Sequence, residues 1–260
     1  PLGVFPVCSP PGERLLTLTV INPWWNESAS NGLMLLRQTP TSEVINSPGF
    51  GASPFWLDDE NFGYISQFQN GVQQVMVTNT NLDRPQMVFS NEALRLGFPN
   101  EERPDSLTLQ LVRPSPSDPR LFVILASDFA VEDTASYLLF FNRVSDIITR
   151  IVPLPDLFTE PGVRLSPDGR FLLIADGDTE KSSSVMLLFN PGVPQIRAIH
   201  LEGQTPYPRH FYASWSPDGA WLALPELGYI RLWHNGADEQ LLNFDNLHCT
   251  NAVWNNRMEP

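Results

Sequence analysis

Asp176-Gly177-Asp178-Thr179-Glu180 sets three carboxylates at alternate positions, the kind of oxygen cluster that a hard cation such as Ca2+ prefers. A twelve-residue calcium loop also needs a central Gly and a distal Glu at fixed offsets, and neither stands there. Asp176, Asp178 and Glu180 are therefore metal candidates for Ca2+, set against the plainer account of a solvated hairpin tip in an acidic protein. No other cofactor is expected.

Asn22-Pro23-Trp24-Trp25-Asn26 places two tryptophans side by side between polar turn residues. Paired aromatic rings in a loop make a stacking platform for a sugar or a protein partner, so Trp24 and Trp25 are the binding candidates. The alternative is that both rings cover the edge of a neighbouring sheet. Asn26-Glu27-Ser28 is a glycosylation sequon, meaningful only in a eukaryotic secretory setting. His200, His210, His234 and His248 are scattered, without the i, i+4 spacing of a helical zinc motif. The sequence contains no G-x-S-x-G elbow, H-E-x-x-H, P-loop or G-x-G-x-x-G. No catalytic residue is assigned, and the chain reads as non-enzymatic within these residues.

Bulk composition narrows the partners. The 260 residues carry a formal charge of −13, with Lys181 the single lysine among 16 basic residues. Such a surface repels a phosphate backbone and an anionic bilayer, which excludes nucleic acid as a partner. No apolar run approaches the length of a transmembrane helix, so membrane insertion is excluded too. The 25 prolines and 16 glycines are spread along the chain as turn punctuation. With no initiator Met, signal peptide or lipobox at its start, the sequence reads as an excerpt of a longer chain.

The elements that would position these residues are announced by a repeated turn. Ser166-Pro167-Asp168-Gly169 precedes Phe171–Ala175, and Ser216-Pro217-Asp218-Gly219 precedes Trp221–Leu224. Pro presets φ, Asp bonds back to its own backbone and Gly accepts positive φ, so each tetrad is a structural turn between strands. Asp168 and Asp218 thus belong to architecture, not to acid catalysis. The short apolar runs that follow suit strands buried on both faces.

Each copy continues alike. Val185–Phe189, the turn Asn190-Pro191-Gly192 and Ile196–Ile199 follow the first; Tyr229–Trp233, Asn235-Gly236 and Leu241–Phe244 follow the second. With the strand before each turn this predicts four antiparallel strands per unit. Weaker copies begin at Cys8-Ser9-Pro10-Pro11-Gly12, at Trp56–Asn61 and at Ser115-Pro116-Ser117-Asp118-Pro119, and Ala252–Asn256 opens another. Periods of about 40 to 58 residues mark a repeat architecture. Four-stranded units cannot bury both faces alone, whereas a radial array lets each sheet cover its neighbour. The expectation is an all-β, single-domain β-propeller. Its five whole blades span about 1–50, 51–108, 109–160, 161–208 and 209–250, with a partial blade at 251–260.

The pattern W/L-S-P-D-G followed by a strand ending in Asn-Pro-Gly or His-Asn-Gly resembles the TolB-like, WD40-like repeat of bacterial β-propellers. The resemblance covers nearly the whole chain, strongly in two units and in degenerate form in three. It departs from the eukaryotic WD repeat at His234, where an Asp would stand. The superfamily includes scaffolds, periplasmic receptors and the lid domains of prolyl-oligopeptidase-type peptidases. The function expected is a non-catalytic platform binding a protein or glycan partner through its loop faces, in a periplasmic or extracellular setting. The alternative is the substrate-gating propeller of a serine peptidase whose hydrolase domain lies beyond Pro260. If the first and last units meet in space, Cys8 and Cys249 could form a disulfide.

Overall fold

The computed structural model describes residues 4–9, 12–19, 32–39, 41, 43–67, 71–115, 118, 120–128, 135–154, 162–165, 171–175, 183–188, 197–202, 214–216, 220–234 and 238–248. Two compact units divide the chain, Pro1–Asp156 and Leu157–Pro260.

In the first unit, β1 (Val4–Cys8), β2 (Arg14–Thr19), β3 (Gly32–Gln38), β4 (Glu43–Trp56), β5 (Asn61–Gln67), β6 (Gln73–Asn79) and β7 (Gln86–Ser90) form one seven-stranded antiparallel meander. A short helix, α1 (Asn91–Leu96), leads to β8 (Thr108–Pro114), β9 (Leu121–Asp128), β10 (Ala135–Asn142) and β11 (Ile147–Leu154), a four-stranded sheet. The second unit holds a four-stranded sheet of β12 (Gly162–Leu165), β13 (Phe171–Ala175), β14 (Ser183–Leu188) and β15 (Arg197–Glu202). Its other sheet contains β16 (Ser214–Trp215), β17 (Trp221–His234) and β18 (Asp238–His248). The expectation of an all-β chain of antiparallel sheets holds, with α1 as an unforeseen addition.

β4 departs from the expected boundary between Phe50 and Gly51. Its first half pairs with β3 and its second half with β5, so one strand serves both sheet halves. The crossing relies on two positive φ angles, Gly49 at 96° and Ser53 at 48°. Burial switches with the partner: Phe50 is 67% exposed, whereas Ala52 and Phe55 are fully buried. Gly51 is required by space rather than conformation. A Cβ there would come within 2.7 Å of Met34 Cε and 2.8 Å of the Ile65 carbonyl.

β17 carries both Trp221–Leu224 and Tyr229–Trp233, which the sequence separates into two strands. An extended strand advances about 3.3 Å per residue, which would hold its two ends far apart. Instead the rings of Trp221 and His234, at those two ends, have centroids 4.4 Å apart. The chain therefore doubles back within β17.

The buried runs pack as their composition dictates. In β9, Phe122, Ile124 and Ala126 point into one core with Phe55, Phe89, Val112 and Phe141, while the alternate Val123 and Leu125 are buried on the other face. Ring pairs Phe55–Phe122 at 5.6 Å and Phe89–Phe141 at 4.5 Å bind the seven-stranded sheet to the β8–β11 sheet. Each such pair contributes about 0.5–1.5 kcal/mol beyond its buried area. A second cluster, Leu16, Met34, Leu36, Trp56, Phe62 and Tyr64, fills the other side of β5.

Candidate interaction face

At one end of the first unit's sheets, the connections are turns clamped by side chains. Ser9 lies opposite Arg14: its amide donates to the Arg14 carbonyl at 2.9 Å and its hydroxyl accepts the Arg14 amide at 3.1 Å. Ser115 donates its amide to Leu121 O at 2.9 Å in the third of the predicted units. In the second unit of the chain, Ser216 makes the same bracket with Trp221, at 2.8 Å in both directions. In each case the serine spans the bend. Ser9, Ser115 and Ser216 are correspondingly buried.

Aspartate does its share where the tetrad is degenerate. Asp58 Oδ1 accepts the amides of Glu60 and Asn61 at 2.9 and 2.7 Å. Burial alone would raise this carboxyl's pKa. The Asn61 side chain, those two amides and the charge of Arg143 outweigh it and leave the pKa below the ordinary value. Asp118 accepts the Arg120 amide at 3.0 Å and grips its guanidinium through Nε and NH2 at 2.9 and 2.8 Å. Positive φ is found at Gly12, 79°, as the first turn requires. Neighbouring turns are also tied together: Arg14 NH1 donates to Asp59 O at 3.1 Å, and Thr80 N to Glu60 O at 2.9 Å. This end presents exposed charge of both signs on a braced base.

The opposite end carries the β7–β8 insertion. Ser90 caps α1 by accepting the Ala93 amide at 3.1 Å. The buried Asn91 side chain accepts the amides of Gln73 and Glu92 at 3.0 Å each and donates to Leu107 O at 2.9 Å. Phe98 meets Tyr137 edge-on at 5.2 Å. Asp128, 3% exposed, accepts from the Asp105 amide at 3.1 Å and the Ser106 hydroxyl at 2.8 Å. Burial, then the charges of Asp128 and Glu102, push the Tyr137 phenol pKa up, so it stays a neutral hydrogen-bonding group. Glu101, Glu102 and Asp105 stand exposed on this rim.

Between the two ends, β8 is held by side chains that imitate a strand. Gln73 Nε2 donates to Leu109 O at 3.1 Å while Gln73 Oε1 accepts the Leu109 amide at 2.5 Å. Ser53 Oγ accepts the Val112 amide at 3.0 Å and Arg113 NH1 at 3.0 Å. These bonds sit beside the register shift between Leu109 and Leu111, where the ladder to β9 is interrupted.

Of the residues singled out from the sequence, Ser216 lies among those described. Trp24, Trp25, Ser166, Pro167, Asp168, Gly169, Asp176, Asp178, Glu180, Pro217, Asp218, Gly219 and Cys249 lie outside them. Cys8 ends β1, opposite Leu15. His200 pairs with Val185 in β14, His248 with Leu227 in β17, and His234 stacks on Trp221. Among the described residues, no group of three or more His, Cys, Asp or Glu side chains is placed to hold a metal ion. Among them, too, no helix is long and apolar enough to cross a membrane.

Sequence reasoning missed α1 and the Gln73, Asn91 and Asp128 brackets. The helix has local signals in Ser90 and in Gly97-Phe98-Pro99. Gly97 is not left-handed, with φ −76°; a Cβ would approach Ile148 Cδ1 to 3.0 Å. The brackets have no local signal, because each joins residues far apart in the chain.

No protein-family model matches the sequence, and no curated protein matches it. Solved structures do. TolB from Acinetobacter baumannii superposes with a TM-score of 0.54 at 13% identity, over 94% of this chain and 55% of its own. The β-propeller domain of the Trilobed protease from Pyrococcus furiosus gives 0.53 at 10% identity, over 92% and 69%. The Pyrococcus horikoshii acylaminoacyl peptidase gives 0.56 at 8% identity, over 90% and 38%. The chain thus spans about half the length of TolB and a smaller share of the peptidase. Antiparallel meanders joined by serine-clamped turns, with these neighbours, define a β-propeller fold. At identities of 8–13% this likeness is one of fold.

Proposed function

We propose that this chain is a non-catalytic interaction platform of the TolB-like β-propeller type. It comprises five four-stranded blades and the start of a sixth, and it binds a protein or glycan partner through its loops. The observation that carries this reading is where the polar chemistry lies. The buried Ser9, Ser53, Gln73, Asn91, Asp128 and Ser216 all bond within the protein, bracing strands and turns. Chemistry toward a partner is then left to the loops, where Trp24 and Trp25 are the aromatic anchors. A net charge of −13 favours a basic or polar partner through steering. A periplasmic or extracellular location accompanies the proposal.

The test is photo-crosslinking in the cell of origin, with a benzophenone amino acid at Trp25 and, as control, at Val144 in the β10–β11 turn. A discrete adduct from Trp25 and none from Val144 is expected. No adduct from Trp25, or equal adducts from both positions, would overturn the assignment of that loop.

The second reading is the gating propeller of a serine peptidase, favoured by the likeness to the acylaminoacyl peptidase and the Trilobed protease. The complete gene separates the two. A nucleophile elbow following these residues supports the peptidase, and further repeats alone support the platform.

A further inference from the structure

We draw no further inference here: the strongest candidate, the exposed apolar stretch of Val44, Ile45 and Phe50 on the outer half of β4, is interrupted by Pro48 and the left-handed Gly49, and nothing in the structure shows what covers it.

Discussion

The Ser216 hydroxyl accepts the amide proton of Trp221 at 2.8 Å, while the Ser216 amide donates to the Trp221 carbonyl, also at 2.8 Å. One residue thus closes the bend from both sides, and Ser9 does the same with Arg14. Removing the hydroxyl leaves an amide beside a buried position without its acceptor. Ser216→Ala and Ser9→Ala should each destabilise the protein by about 1–2 kcal/mol. Urea unfolding reads this as a lower midpoint at unchanged slope. An unchanged midpoint would show that the clamp is ornamental.

Gln73 replaces a missing stretch of sheet. Its amide group satisfies both the N–H and the C=O of Leu109, all of it buried. Gln73→Ala strips both partners at once and should cost about 2–4 kcal/mol, following the penalty for orphaned buried groups. Hydrogen exchange at Leu109 should accelerate more than at Ile124 in the centre of β9. Equal acceleration at the two amides would point to general loosening instead.

Two glycines separate space from conformation. A Cβ at Gly63 would strike the Phe55 ring and come within 2.9 Å of the Met76 carbonyl. At Gly49 it would meet nothing within 4 Å, but φ is +96°. Gly63→Ala should therefore cost about 1–3 kcal/mol through overpacking. Gly49→Ala should lose about 1–2 kcal/mol through backbone strain alone. Near-ultraviolet circular dichroism distinguishes them: the Gly63 variant alters the aromatic signal, and the Gly49 variant leaves it intact.

The Asp118–Arg120 turn has a pH signature. Hydrogen bonds from the Arg120 side chain and amide lower the Asp118 pKa from 3.8 to about 2. Because the folded value is depressed, the contribution to stability is present above the ordinary aspartate range. It disappears as pH falls through about 2. The pair is at the surface, so added salt should weaken the effect. A carboxyl carbon NMR titration of Asp118 should give a midpoint near 2, moving upward in Arg120→Ala. A midpoint at the ordinary value in the unaltered protein would contradict the pairing.

How far the sequence carries depends on the range of the interaction. The turns are local: Pro, Gly and Ser within a few residues announce β2 after Gly12 and β17 after Ser216. Runs such as Phe122–Leu125 reveal a strand buried on both faces, since no solvent-facing position interrupts them. The continuity of β4 was hidden because a blade boundary was expected between Phe50 and Gly51, just after Ser47-Pro48-Gly49. The structure uses that triplet as a kink, with Ser47 Oγ donating to Met34 O at 2.8 Å. The Gln73–Leu109 and Ser53–Arg113 brackets depend on tertiary proximity, which no spacing rule encodes. The serine bracket was not legible, because the part of Ser9 and Ser216 in it depends on bonds across the bend to Arg14 and Trp221.

On the proposed platform reading, the buried serines are architectural and no serine of these residues carries out acyl chemistry. Treatment of the folded protein with a fluorophosphonate probe, followed by peptide mapping, tests it most directly. The expected result is no adduct on Ser9, Ser115 or Ser216, whose hydroxyls or amides are engaged across their turns. A stoichiometric, fold-dependent adduct on any serine of these 260 residues would contradict the account.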